Sequence, residues 1–210
     1  TPLSCRARAA PTAPPSTASE KTHSRWHALA TRRGVSSLTP WTRLAPMPEA
    51  PQATHLPALP RDLRFAFVEA SWHPDIVQRS RDAFFAEMAR AGFDRASIDV
   101  FDVPGAFEIP LHAQRLARSG RYAAVVGSAL VVDGGVYRHD FVAATVVQAL
   151  MDVQLATGVP VISAVQAPHH FHEHVEHRKF LQQHFAAKGT EAAQACLLTV
   201  ASLRALPPGV

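Results

Sequence analysis

Tyr122 to Val132, YAAVVGSALVV, is apolar along almost its whole length. A strand with apolar side chains on both alternations is covered on both faces, the habit of parallel sheets held between helix layers. Gly134-Gly135 ends the run, and Asp140 to Thr157 then reads as a long, unusually apolar helix stopped at Gly158. Val159 to Val165 (VPVISAV) follows as another strand. Upstream, Leu111 to Ser119 reads as a helix ending at Gly120, and Ser97 to Val103 (SIDVFDV) alternates with period 2 as a half-buried strand does. Pro74 starts an earlier helix at its first-turn position; Val77, Phe84, Met88 and Ala91 keep helical spacing as far as Gly92. Arg64 to Ala70 (RFAFVEA) supplies the first strand. At the far end Glu173 to Ala187 is polar and His-rich, and Glu191 to Leu206 reads as a final Ala-rich helix. Strand and helix alternate four times without an internal repeat. The expected fold is α/β, a three-layer α/β/α sandwich around a central four-stranded parallel sheet.

The chain ahead of this pattern differs in kind. Residues 1–61 hold 8 Lys+Arg against 2 Asp+Glu and 10 of the 17 prolines, with Gly34 as their single glycine. They keep no sustained period of 2 or 3.6, so a disordered basic arm is expected over 1–61 and one folded domain over 62–206. The body carries 13 basic residues against 15 acidic ones, and the net charge of +4 therefore belongs to the arm. A basic surface for DNA or RNA has no support in the body. The arm's Ala, Thr, Ser, Pro and Arg fit a disordered extension ahead of a start at Met47, which leaves a cytoplasmic domain, or an organelle transit peptide. No apolar run approaches the ~20 residues of a membrane helix, and no secretory h-region is visible. Cys5 and Cys196 are too few for a disulfide framework or a zinc ribbon.

Ligands of parallel sheets sit at the carboxyl ends of the strands, so the turns after the strands are where chemistry is sought. The first carries Ser71-Trp72-His73, with Trp72 either roofing the core or forming a platform for a flat heterocycle. The second carries Val103 to Glu108 (VPGAFE), where Glu108 is either a solvated helix-start residue or an acceptor for a polyol's hydroxyls. The third runs from Asp133 to Asp140 (DGGVYRHD). Its two glycines and the following helix start suit an anion; Arg138 adds a fixed cation and His139 a group of the type that titrates near neutrality. The alternative there is a plain tight turn with a capping Asp140. The fourth leads into His169, His170, His172, His174 and His177, whose spacing does not match H-E-x-x-H and has no cysteine nearby, so no metal site is expected.

VPGAFEIP at Val103 to Pro110, GSALVVDGGVYRHDFVA at Gly127 to Ala143, TGVPVISAV at Thr157 to Val165 and KGTEAA at Lys188 to Ala193 resemble the 6,7-dimethyl-8-ribityllumazine synthases. The resemblance runs in order from about Arg64 to Val200, and the YRHDFV and FHEHVEH segments look most like the type II bacterial branch. It implies a flavodoxin-like fold and a transferase of riboflavin biosynthesis. Such enzymes join 5-amino-6-(D-ribitylamino)uracil to 3,4-dihydroxy-2-butanone 4-phosphate, releasing phosphate and water, with no metal or organic cofactor. It further implies self-association into pentamers, in this branch a decamer, with the site between neighbouring subunits and neither nucleic acid nor membrane as partner. Residue by residue, the resemblance gives Trp72 the stacking role and His73 the adjacent contact where Asn is common. Ala106, Phe107 and Glu108 hold the ribityl chain, and Val131 and Val132 flank the pyrimidine edge. Gly135 and Val136 offer backbone donors to the phosphate. Ser163 falls where the neighbour often supplies Phe, and Lys188 matches the lysine of the family's Lys-Gly segment.

Two departures stand out. Arg138 occupies the place of the family's acid/base His, and His139 sits one position on; adjacent residues at a helix start point roughly 100° apart. The neighbour's phosphate-binding Arg lacks a clear counterpart, Arg178 being the first candidate and Lys179 the second. The expectation is an enzyme with Arg138 on phosphate and His139 as proton shuttle. Its rivals are a non-catalytic lumazine- or flavin-binding homologue and a His-rich metal-binding module.

Overall fold

The computed structural model describes residues 58–136 and 138–207; the expected arm, over 1–57, lies outside the described residues. Four strands, β1 (Phe65–Ala70), β2 (Ile98–Val103), β3 (Ala124–Leu130) and β4 (Val161–Gln166), alternate with four helices. These are α1 (Pro74–Arg90), α2 (Ile109–Arg118), α3 (His139–Thr157) and α4 (Val175–Arg204). The strands form one parallel sheet in the order β2-β1-β3-β4, the three-layer flavodoxin-like arrangement expected from the sequence. Chain order reverses between β1 and β3, and that reversal opens a crevice at the carboxyl ends of the two strands.

Side chains alternate across the sheet as period 2 demands. Ala66, Val68, Val125 and Ala129 face α2 and α3, together with Ile109, Val146 and Leu150. Phe65, Phe67, Ala124 and Val126 face α1 and α4, meeting Phe84, Met88, Cys196 and Leu197. Every residue of β1 and β3 is buried; for β3 the unbroken apolar run around Val125 announces it, whereas β1 buries Glu69 as well. Leu59 packs against the second of these cores and Arg61 lies over the Phe93 ring, so the chain just ahead of residue 62 also touches the body. Burial pushes the Cys196 thiol well above its ordinary range. Among the described residues no helix is long and apolar enough to cross a membrane.

One element departs from expectation. The polar His-rich stretch and the Ala-rich helix are a single helix, α4, of 30 residues. Gly189, which ends helices in so many sequences, sits inside this one because α4 crosses α1 there at backbone distance. A Cβ at Gly189 would lie 2.0 Å from the Ser80 carbonyl oxygen. Packing between two helices requires the glycine, and an intact hydrogen-bond ladder on either side carries the helix through it.

Candidate active site

The crevice between β1 and β3 is a cleft of about 460 Å³. Trp72 and His73 enter it from the end of β1, Ala106, Phe107 and Glu108 from the turn after β2, and Val131 and Val132 from the end of β3. These are seven of the residues that the strand-end argument and the resemblance single out. Gly105, Leu130, Gly134 and Val142 complete the wall. Val142 carried no signal in the sequence, because its access to the cleft depends on the angle at which α3 leaves the turn.

The chain holds these groups in place from below. Ser71 donates both its N–H and its hydroxyl to the Val103 carbonyl, at 2.9 Å each, tying the end of β1 to that of β2. His73 has φ 51° and ψ 57°, the left-handed region that few side chains tolerate and that Asn and His enter more readily than most. Its ring packs on Phe171 at 4.8 Å, and its carbonyl accepts from the Ile76 and Val77 amides to start α1. Trp72 is 68 % exposed and Phe107 64 %, so neither is a core residue; each offers a broad apolar surface at the mouth. A Cβ on Gly105 would meet a Glu108 carboxylate oxygen at 3.2 Å and the Trp72 indole at 3.8 Å. The absent side chain is what lets a flat aromatic platform and a carboxylate converge on one spot.

Arg138 and His139 lie elsewhere. With Asp133, Asp140, Ala167 and His169 they line a second, more polar cleft of about 480 Å³ on the β4 side of the β3–α3 turn. His139 begins α3, and its Nε2 lies 3.2 Å from the Pro168 carbonyl oxygen. The Arg138 guanidinium grips Asp140 through Nε at 3.2 Å and Nη2 at 2.6 Å and lies over the Phe141 ring. That bond holds the Asp140 carboxyl below the usual carboxylate range. Gly135 and Val136 stand on the turn between the two clefts. The Gly135 amide donates to Asp133 Oδ1 at 2.8 Å, so the chain's own carboxylate occupies a position the sequence reserves for an anion.

The remaining candidates line neither cleft. Ser163 is exposed on β4, one of the two edge strands of the sheet, and its hydroxyl accepts from the Val165 amide. Arg178, in the first turn of α4, is shared between Asp75 and Glu173, at 2.7 Å each. Lys188 pairs with Glu191 farther along α4. His169, His170, His177 and His184 line a third hollow with Phe180 and Leu181. Among the described residues no three His, Cys, Asp or Glu side chains converge as metal ligands.

A doubly wound parallel sheet with an aromatic platform and a free-standing carboxylate at its switch point defines a small-ligand α/β protein. The family model for 6,7-dimethyl-8-ribityllumazine synthase matches residues 62–204, and the chain belongs to that family. The 6,7-dimethyl-8-ribityllumazine synthase of Rhodococcus erythropolis is 58% identical over 144 residues, 69% of this chain and 93% of that one. The 6,7-dimethyl-8-ribityllumazine synthase 2 of Pseudomonas syringae pv. tomato is 59% identical over 143 residues, 68% and 84% of the two chains. Its counterpart in Bradyrhizobium diazoefficiens is 53% identical over 156 residues, 74% and 93% of the two.

Proposed function

We propose that this chain condenses 5-amino-6-(D-ribitylamino)uracil with 3,4-dihydroxy-2-butanone 4-phosphate, giving 6,7-dimethyl-8-ribityllumazine and phosphate in riboflavin biosynthesis. The observation that carries the reading is the convergence of Trp72 and Glu108 on Gly105 at the switch point of the sheet. The pyrimidine stacks on Trp72 with its edge toward Val131 and Val132. His73, Ala106 and Phe107 confine the ribityl chain, and the Glu108 carboxylate accepts its hydroxyls. The phosphate of the second substrate takes over the Gly135 and Val136 amides and the Arg138 guanidinium, displacing the internal carboxylates of Asp133 and Asp140. Most of the acceleration comes from holding two reactants in register; His139 moves the protons of imine formation and phosphate departure.

The assembly in this proposal is a pentamer, paired into a decamer. Val147, Met151 and Leu155 form an apolar stripe on the outer face of α3, and Leu111 of α2 is likewise exposed. These side chains account for the unusual apolarity of α3, whose buried stripe is Ala143, Val146, Leu150 and Val153. Ser163, Arg178 and Lys188 then serve a neighbour's site rather than their own. The compartment is the cytoplasm, unless the arm is an organelle address. A chain beginning at Met47 is expected to keep the assembly and specific activity of the full chain, checked by light scattering and turnover; a monomer would make residues 1–46 an assembly element.

Purified protein mixed with both substrates and followed by lumazine absorbance tests the proposal. A rate above the spontaneous background is the expected result. Tight lumazine binding with no such rate would leave a non-catalytic binding homologue instead.

A further inference from the structure

Beneath the cleft, on the face of the sheet covered by α1 and α4, a row of polar side chains crosses three strands. Asp102 of β2 stands in register with Glu69 of β1, and Glu69 in register with Ser128 of β3. Ser128 is fully buried and bonded to Ser80 of α1, Oγ to Oγ, at 2.8 Å. Glu69 is only 3 % exposed. Its Oε1 accepts from Arg81 Nη1 of α1 at 2.7 Å, while its buried Oε2 has no hydrogen-bond partner among the described residues. Side chains in register on adjacent strands stand about 5 Å apart, so Glu69 and Asp102 are immediate neighbours. Two carboxylates at that separation do not both ionise freely when one is buried.

The charged groups that act on Glu69 are Arg81 from α1 and Asp102 from β2. Arg81 is itself divided, since Nη2 also reaches the exposed Asp82 at 3.3 Å. On α4, Arg178 is turned to Asp75 and Glu173, and Lys188 to Glu191. One guanidinium thus serves a buried carboxylate whose second oxygen faces another carboxylate. A proton on Glu69 resolves the conflict, letting Oε2 donate to Asp102 while Oε1 still accepts from Arg81.

The place of this pair gives it a consequence. Two residues beyond Glu69, Ser71 clamps β1 to the Val103 carbonyl, and Trp72 follows. One residue beyond Asp102 is Val103 itself, and the chain then turns through Gly105 to Glu108. We propose that Glu69 is a positioning residue for the cleft, sharing a proton with Asp102 and so setting the approach of the two strand ends that carry Trp72 and Glu108. Burial, and after it the Asp102 charge against the relief given by Arg81, pushes the Glu69 carboxyl up to about 7 from its ordinary 4.5. The folded protein therefore holds a proton that the unfolded chain gives up. The contribution to stability is complete below about pH 4.5 and declines as the pH rises to about 7. Ionised, Glu69 repels Asp102 and loosens the Trp72–Glu108 approach.

The inference rests on the cleft being the ligand site, and the experiment separates the two. Affinity for 6,7-dimethyl-8-ribityllumazine and Tm are measured on the full chain from about pH 5.5 to 8.5 for wild type, Glu69→Gln and Asp102→Asn. Gln presents an acceptor to Arg81 and a donor to Asp102, and so copies the protonated state. Wild-type affinity is expected to fall several-fold across the range. Glu69→Gln should hold its affinity and show a flatter Tm profile. Asp102→Asn, on the exposed edge strand, removes the charge that opposes ionisation of Glu69 and should move the midpoint of both profiles to lower pH; an unmoved or raised midpoint counts against the pair. Should Glu69→Gln fail to fold, Asp102→Asn decides alone. Wild type that binds with a pH profile untouched by either substitution overturns this proposal and leaves the cleft standing. Wild type that binds at no pH overturns both.

Discussion

Two neighbouring regions at the same edge of the sheet are built on opposite plans. The Trp72–Glu108 cleft leaves its working groups uncommitted: Trp72 and Phe107 are exposed, and no hydrogen bond among the described residues takes up the Glu108 carboxylate. In the turn from Asp133 to Asp140 the chain satisfies its own cation and amide, Arg138 with Asp140 and Gly135 with Asp133. The first region needs only a ligand of the right shape. In the proposed function the second must exchange internal carboxylates for an external anion, so the phosphate would compete with the chain. The proposed roles, a pyrimidine site organised before binding beside an anion site organised by it, suit a reaction in which two substrates are brought together.

The largest test of this contrast is His139→Ala. If the polar cleft supplies the proton shuttle, kcat falls by ~10² to 10⁴-fold while both KM values stay close to wild type. An unchanged kcat removes the shuttle from this cleft. Gly105→Ala strikes the other region. Its methyl group would crowd the Glu108 carboxylate, 3.2 Å away, and the pyrimidine KM should rise by about tenfold, roughly 1.4 kcal/mol, with kcat little changed. An equal rise for both substrates would mean that the regions are not separate. The smallest effect is expected from Asp140→Asn. Freed from its partner, Arg138 should bind phosphate slightly better, lowering the KM for the butanone phosphate about twofold, in steady-state assays at low salt. A higher KM would show that Asp140 aims Arg138 instead of competing for it.

Much of this was legible before the structure, for a physical reason. A residue directly after a buried parallel strand has little freedom in where it emerges, so Trp72 could be placed from the end of β1 and Glu108 from the turn after β2, while Val131 was reached only through the family resemblance. The sheet itself followed from the unbroken apolar run at Tyr122 to Val132. Legibility ended where placement depends on packing between distant segments. Gly189 looks like a helix stop, and only the approach of the Ser80 backbone shows why α4 runs through it. Arg138 and His139 are adjacent to the glycine turn in sequence, yet the entry of α3 aims both at the β4 side, where His139 meets the Pro168 carbonyl. Nor did the spacing of DGG announce that Asp133 takes the Gly135 amide.

The proposed function gives the two clefts different substrates. Steady-state kinetics of Trp72→Ala and Arg138→Ala, with each substrate varied in turn, test it most directly. Trp72→Ala should raise the KM for the ribitylaminouracil by the equivalent of ~1 to 3 kcal/mol of lost stacking and leave the butanone phosphate KM and the Tm nearly unchanged. Arg138→Ala should do the reverse, raising the butanone phosphate KM alone. If both substitutions raise the same KM, or if Trp72→Ala lowers the Tm sharply without touching either, the division of labour between the clefts is wrong.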